Sequence, residues 1–166
     1  MNYYGTSLKG RSARLLIAPV VAALAIAGCG GGGSAKTPSP KTAASTSPTL
    51  RLAGLEPGQA LVDAQGRTLY LFEADRSDKS TCNGACASLW PPATVTGTTT
   101  AGPGLTADEI GTTKRSDGER QLTYKGHPLY RYAADRKPGD VNGQGLNQFG
   151  AKWYVLNASG AKIDDD

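Results

Sequence analysis

One ten-residue phrase, used twice, limits what this chain can fold into more than any other feature. Gly66-Arg-Thr-Leu69-Tyr70-Leu-Phe72-Glu-Ala74-Asp75 returns sixty residues later as Gly126-His-Pro-Leu129-Tyr130-Arg-Tyr132-Ala-Ala134-Asp135, and Arg76 then matches Arg136. Self-similarity at a fixed interval means one structural unit built twice. Successive residues of a strand face opposite ways, so Tyr70 and Phe72 share a face, as do Tyr130 and Tyr132, while Leu69 and Leu129 face the other side. Each phrase is preceded by a short apolar run, Ala60-Leu-Val62 or Gln121-Leu-Thr-Tyr124, that ends near a glycine. The pattern predicts two hairpins, with Gly66 and Gly126 at turn positions that need positive φ.

The rest of the folded part agrees with a mostly β domain with little helix. Short apolar runs are separated by glycine turns, and no long stretch has helical apolar spacing. We expect a single domain over about residues 50–163, the size of one ordinary domain. It is read as two related hairpin-containing repeats, the first at about 55–97 and the second at about 110–157. Gly84 to Leu89 suits one or two helical turns, ended by Pro91 and Pro92. Leu105 to Glu109 reads as a short helix or a loop, with Thr106 at an N-cap-like position. Ile110 to Arg115 and Glu119 to Tyr124 form a further expected hairpin around Asp117-Gly118. Trp153 to Leu156 reads as a closing strand.

The first 49 residues have a different character. Lys9, Arg11 and Arg14 precede a thirteen-residue apolar run, Leu15 to Ala27. That run is short for a bilayer span, and with its basic start it reads as a secretory signal over residues 1–28. Its end, Leu24-Ala-Ile26-Ala27-Gly28-Cys29, resembles the lipobox of bacterial lipoproteins. The resemblance implies cleavage before Cys29 and lipidation of its thiol and new amino terminus, hence a membrane partner. Residues 29–49 are rich in Gly, Ser, Thr, Pro and Ala. Such a segment has little to bury and is expected to be a disordered tether. The signal carries three of the 18 Lys and Arg and no acid, leaving 15 basic against 14 acidic residues. A near-neutral mature chain gives no charge argument for a nucleic-acid partner.

Tyr-x-aromatic-x-x-Asp, used twice, stands with a Cys82-x3-Cys86…Trp90-Pro-Pro segment and an Asp140-x-Asn142-Gly-Gln144-Gly145 segment. Together they resemble the bacterial secreted-repeat lipoprotein family with a Tyr-x4-Asp motif, over roughly residues 55–157. The resemblance supports the domain and an extracytoplasmic address and brings no catalytic residue with it.

Several residues are candidates for chemistry. Outside the cytoplasm Cys82 and Cys86 should oxidise to each other, and four residues apart on a turn or helix their Cα atoms suit a disulfide. That bond reads as a staple before Trp90, or alternatively as a redox centre. Tyr70, Asp75, Tyr130, Tyr132 and Asp135 have two readings. In one, the rings fill the core and each Asp caps the turn after its strand. In the other, aromatics and carboxylates line a ligand-binding rim, which needs a bend near Ala74 or Ala134. Asp140-Val-Asn142-Gly-Gln144 resembles the first half of a calcium loop, with Asp135 as a further oxygen donor, but Ala151 stands where the closing Glu belongs. These four are weak metal candidates beside a Gly-rich turn. His127, the only histidine, is expected near the surface at a strand start, and with the cysteines paired a zinc site lacks ligands. No Gly-x-Ser-x-Gly and no Ser-His-Asp set occurs, and no cofactor is expected. The sequence therefore reads as a lipid-anchored, extracytoplasmic, non-enzymatic module that binds a small ligand or an envelope protein. An envelope redox accessory built on Cys82 and Cys86 is the alternative.

Overall fold

A computed structural model of the chain describes residues 49–164. The signal, Cys29 and nearly all of the tether lie outside the described residues. Within them are eight strands, β1 (Leu50–Leu55), β2 (Gly58–Asp63), β3 (Tyr70–Phe72), β4 (Ile110–Lys114), β5 (Arg120–Tyr124), β6 (His127–Pro128), β7 (Asn147–Gln148) and β8 (Ala151–Val155). One short helix, α1 (Ala85–Leu89), and a 3-10 turn at Ala107–Glu109 complete the elements. The mostly β reading holds. No helix among the described residues is long and apolar enough to cross a membrane.

The strands form three small antiparallel sheets, β1-β2, β3-β8-β7 and β4-β5-β6. The expected hairpins are present, with β4 and β5 paired from Ile110↔Tyr124 to Lys114↔Arg120. Gly66 and Gly126 both have positive φ, +80° and +81°. The tight turn at Gly126 also draws Lys125 to φ 47°. Strand β1 was not expected as a separate element. Its hairpin with β2 extends the first repeat at its N-terminal edge.

The two copies of the phrase pair with each other through one backbone bridge. Tyr70 N–H donates to the Tyr130 carbonyl and Tyr130 N–H donates to the Tyr70 carbonyl, both at 2.9 Å. This is a closed antiparallel pair between the two copies of the phrase, and it makes the domain pseudo-two-fold. Tyr70 also pairs with Val155 on its other side, and Tyr130 with Pro92. Segments of both repeats thus form one continuous layer. Leu69, Leu71, Leu129, Leu122 and Leu156 build an aliphatic core on one face. Tyr70, Phe72, Trp90, Tyr130 and Trp153 build an aromatic core on the other. Alternation in the phrase sorts the residues as expected, but both faces are buried.

Candidate functional site

The aromatic core is a column. Phe72 stacks on Trp153 (ring centroids 4.1 Å apart, planes 11° apart). Trp153 stacks on Trp90 (3.9 Å, 5°), and Trp90 on Tyr132 (4.3 Å, 29°). Tyr70 meets Trp90 edge-on at 5.3 Å, and Tyr130 meets Trp153 the same way at 5.1 Å. Each contact therefore has its mate: Phe72 corresponds to Tyr132, Trp153 to Trp90, and Tyr130 to Tyr70. Edge-to-face and offset-stacked pairs are the arrangements that aromatic quadrupoles favour.

The signature tyrosines and aspartates cross between repeats. Tyr70 Oη donates to Asp135 Oδ2 at 2.7 Å, and Tyr130 Oη donates to Asp75 Oδ2 at 2.5 Å. The chain bends straight after each aromatic pair, where Asp75 N–H donates to the Phe72 carbonyl and Asp135 N–H to the Tyr132 carbonyl, both at 3.0 Å. That bend lets each Asp cap its own loop as well. Asp75 Oδ1 accepts from Thr81 N and Oγ1, and Asp135 Oδ1 accepts from Asn142 N and Nδ2. Burial, then the hydrogen bond to Asp135, pushes the Tyr70 hydroxyl far above the usual range, and burial with Asp75 does the same for Tyr130. Both tyrosines stay protonated donors. They are fully buried, so they hold the repeats together rather than line a rim.

Gly143 lies against this column. A Cβ there would stand 2.6 Å from Trp90 Cη2 and 3.0 Å from Tyr70 Cε1. Gly143→Ala is expected to cost about 1–3 kcal/mol by overpacking, read as a lower urea midpoint. An unchanged midpoint would mean that the 140–145 loop is not held against the indole.

Two clefts flank the layer, related by the same pseudo-two-fold. The first, about 280 Å³, is walled by Leu71, Phe72, Glu73, Asp75, His127 and the 160–162 loop. The second, about 230 Å³, is walled by Arg131, Tyr132, Ala133, Asp135, Arg67, Thr68 and Pro91. Positions 71, 72, 73, 75 and 127 correspond to 131, 132, 133, 135 and 67. The copies have diverged in chemistry. In the first, Phe72 is only 4% exposed, and Lys162 ties the C-terminal loop to Glu73 at 2.9 Å. In the second, Tyr132 is half-buried and lines the opening, with Trp90 stacked on its ring. A wider depression of about 560 Å³, bordered by Glu73, Arg76, Asn147 and Lys152, has no aromatic wall.

Asp63 holds the two arginines of the second cleft. Its Oδ2 accepts from Arg131 Nε at 2.8 Å and Arg67 Nε at 3.0 Å. Its Oδ1 accepts from the backbone N–H groups of Gln65 and Arg67. Burial raises the Asp63 pKa, but the Arg67 N–H and the Arg131 guanidinium outweigh it, and the net shift is downward. Sequence reasoning missed Asp63, Arg67 and Arg131, because only Asp63's place at a hairpin turn marks it locally.

Cys82 and Cys86 form the expected disulfide, and both are buried, at 1% and 6% exposure. Arg115, itself buried, spends all five donors on this region, among them Ser80 Oγ, Gln121 Oε1 and the Cys82 carbonyl. A sulfur with no open path is poorly placed for attack by an incoming thiol, which favours the staple. The weak metal candidates are otherwise engaged. Asp140 Oδ2 accepts from the Arg136 and Lys137 amides, and Gln144 bridges Ile163 and Val155. Among the described residues no three His, Cys, Asp or Glu side chains group as metal ligands do. His127 is half-buried at the start of β6.

A family model described as a secreted repeat of unknown function matches residues 56–94 and 111–157, just over half of the chain. No curated protein and no solved structure matches. The two matched stretches are the two halves related by the Tyr70–Tyr130 pair.

Proposed function

We propose, for a chain that belongs to the family of secreted repeats of unknown function, a lipid-anchored, non-enzymatic binding module whose ligand seat is the Tyr132 cleft. Membership in a secreted family and a disulfide both fit an extracytoplasmic location. The observation that carries the seat is the asymmetry of the column: its Phe72 end is covered, while Tyr132 is half-buried in an arginine-lined cleft. An aromatic wall with a few placed polar groups is the usual make-up of a small-molecule site. Of the five residues read from the phrase, Tyr132 and Asp135 wall this seat. Tyr70 and Tyr130 support it from within the core, and Asp75 walls the sister cleft. The anchor rests on the lipobox-like run ending at Cys29.

The seat is tested by titrating the full chain with a panel of single-ring fragments and following backbone amide shifts. Saturable shifts confined to residues 67–68 and 131–135, lost in Tyr132→Leu, are expected. Shifts elsewhere only, or turnover of a substrate abolished by Asp135→Asn, would overturn the reading. Labelled palmitate should enter the chain and fail to enter Cys29→Ala; incorporation unaffected by that change would remove the anchor.

A further inference from the structure

We infer that the Tyr132 cleft recognises a single-ring aromatic carboxylate, a ligand class that rests on this cleft being the seat. Three observations carry it.

The first is size. A cavity of about 230 Å³ lies below the range of roughly 300–1,000 Å³ usual for drug-sized ligands, so the occupant is small. The second is the half-buried phenol ring of Tyr132, held in place by Trp90 at 4.3 Å. A ring fixed on one side by an indole and opening on a cleft suits a flat partner.

The third is the pair of guanidiniums. Asp63 takes Arg67 by Nε and Nη2 and Arg131 by Nε. Arg131 Nη1 reaches the Pro92 carbonyl. Arg67 Nη1 and Arg131 Nη2 then have no hydrogen-bond partner among the described residues. One buried carboxylate shared by two guanidiniums leaves one positive charge without its match. Planar guanidinium groups recognise carboxylates through paired N–H donors. Asp135 also lines the cleft, but its oxygens already accept from Tyr70 and Asn142. The anionic end of the ligand therefore turns toward Arg67 and Arg131 and its ring toward Tyr132. The sister cleft has Leu71 and His127 where this one has Arg131 and Arg67, and it lacks the pair.

The experiment titrates the full chain with three probes of like shape: benzoate, neutral benzamide and cationic benzylammonium. Amide shifts at residues 67–68 and 131–135 report the seat, and arginine Nε–H shifts report the charge contact. Benzoate is expected to bind at least about tenfold more tightly than benzamide, as one charge-assisted pair allows. Arg67, with its side chain 44% exposed, is the residue to change, because folding does not depend on burying it. Arg67→Gln should reduce the benzoate advantage over benzamide to below about threefold. Equal binding of benzoate and benzamide at these amides overturns the carboxylate while the seat stands. A preference for benzylammonium overturns it in favour of Asp135 as the recognising group. Benzoate shifts confined to His127 and residues 160–162 overturn the choice of cleft. If no probe binds while other fragments of the panel do, the class fails alone; if the whole panel is silent, the seat fails with it.

Discussion

Trp153→Ala should remove about 4–5 kcal/mol of folding stability, the upper end for deleting a buried aromatic side chain. Trp153 is fully buried. It lies between Phe72 and Trp90, takes the edge of Tyr130, and donates its indole N–H to the Gln148 carbonyl at 3.1 Å. Alanine would leave a cavity faced by three rings, two of which are held by other contacts and cannot collapse into it. Tyr130 is fixed by its bond to Asp75, and Trp90 by Tyr132 and by its own bond to Gln148 Oε1. A domain of this size has about 5–15 kcal/mol in all, so the variant sits near the edge of folding. Trp153→Phe keeps a stacked ring and should cost only about 1–2 kcal/mol. Urea unfolding measures both. A loss below about 1.5 kcal/mol for the alanine variant would mean that the column is not what joins the repeats.

The same column shows where sequence reading stops. The phrase with Tyr70, Phe72, Tyr130 and Tyr132 is legible because period-two alternation is a local signal, and Gly66 and Gly126 are legible because their turns need positive φ. The disulfide is legible from spacing and address. The equivalence of Trp90 and Trp153 is not, since each follows its tyrosine at a different distance, 20 residues in one copy and 23 in the other. Nor is the exchange of hydrogen bonds, Tyr70 to Asp135 and Tyr130 to Asp75. Within one copy, Tyr and Asp look like neighbours of each other, and only the Tyr70–Tyr130 backbone pair makes them partners across copies. Arg115 and Gln121 are buried although their residue types predict exposure. Their burial is tolerated because Arg115 finds five acceptors and Gln121 bonds both Arg115 and the Leu129 carbonyl. The cleft escaped for the same reason, as Arg67, Arg131 and Asp63 come from different strands and turns and converge only in the fold.

Asp63→Ala should cost about 2–4 kcal/mol and release both arginines from their shared carboxylate. Removing one partner of a buried ion pair usually costs about 3–5 kcal/mol; the lower figure here follows from Arg67 and Arg131, 44% and 20% exposed, which regain water. The variant also strands the Gln65 and Arg67 amides, whereas Asp63→Asn keeps an acceptor for them and should lose less, about 1–2 kcal/mol. The acid limb separates charge from shape. In the fold Asp63 titrates below its ordinary value of 3.8, so its ionised form stabilises the native state above that value. This contribution is lost as pH falls through the lower, folded value. Asp135 acts in the opposite sense. Burial raises its pKa, so it disfavours the fold while ionised, and that penalty lifts on acidification. The gap between wild type and Asp63→Asn should thus be widest near neutral pH and narrow below about pH 4. A gap that stays constant from pH 7 to pH 3 in urea unfolding would show that the Asp63 charge contributes nothing. The arginines would then be placed by packing alone.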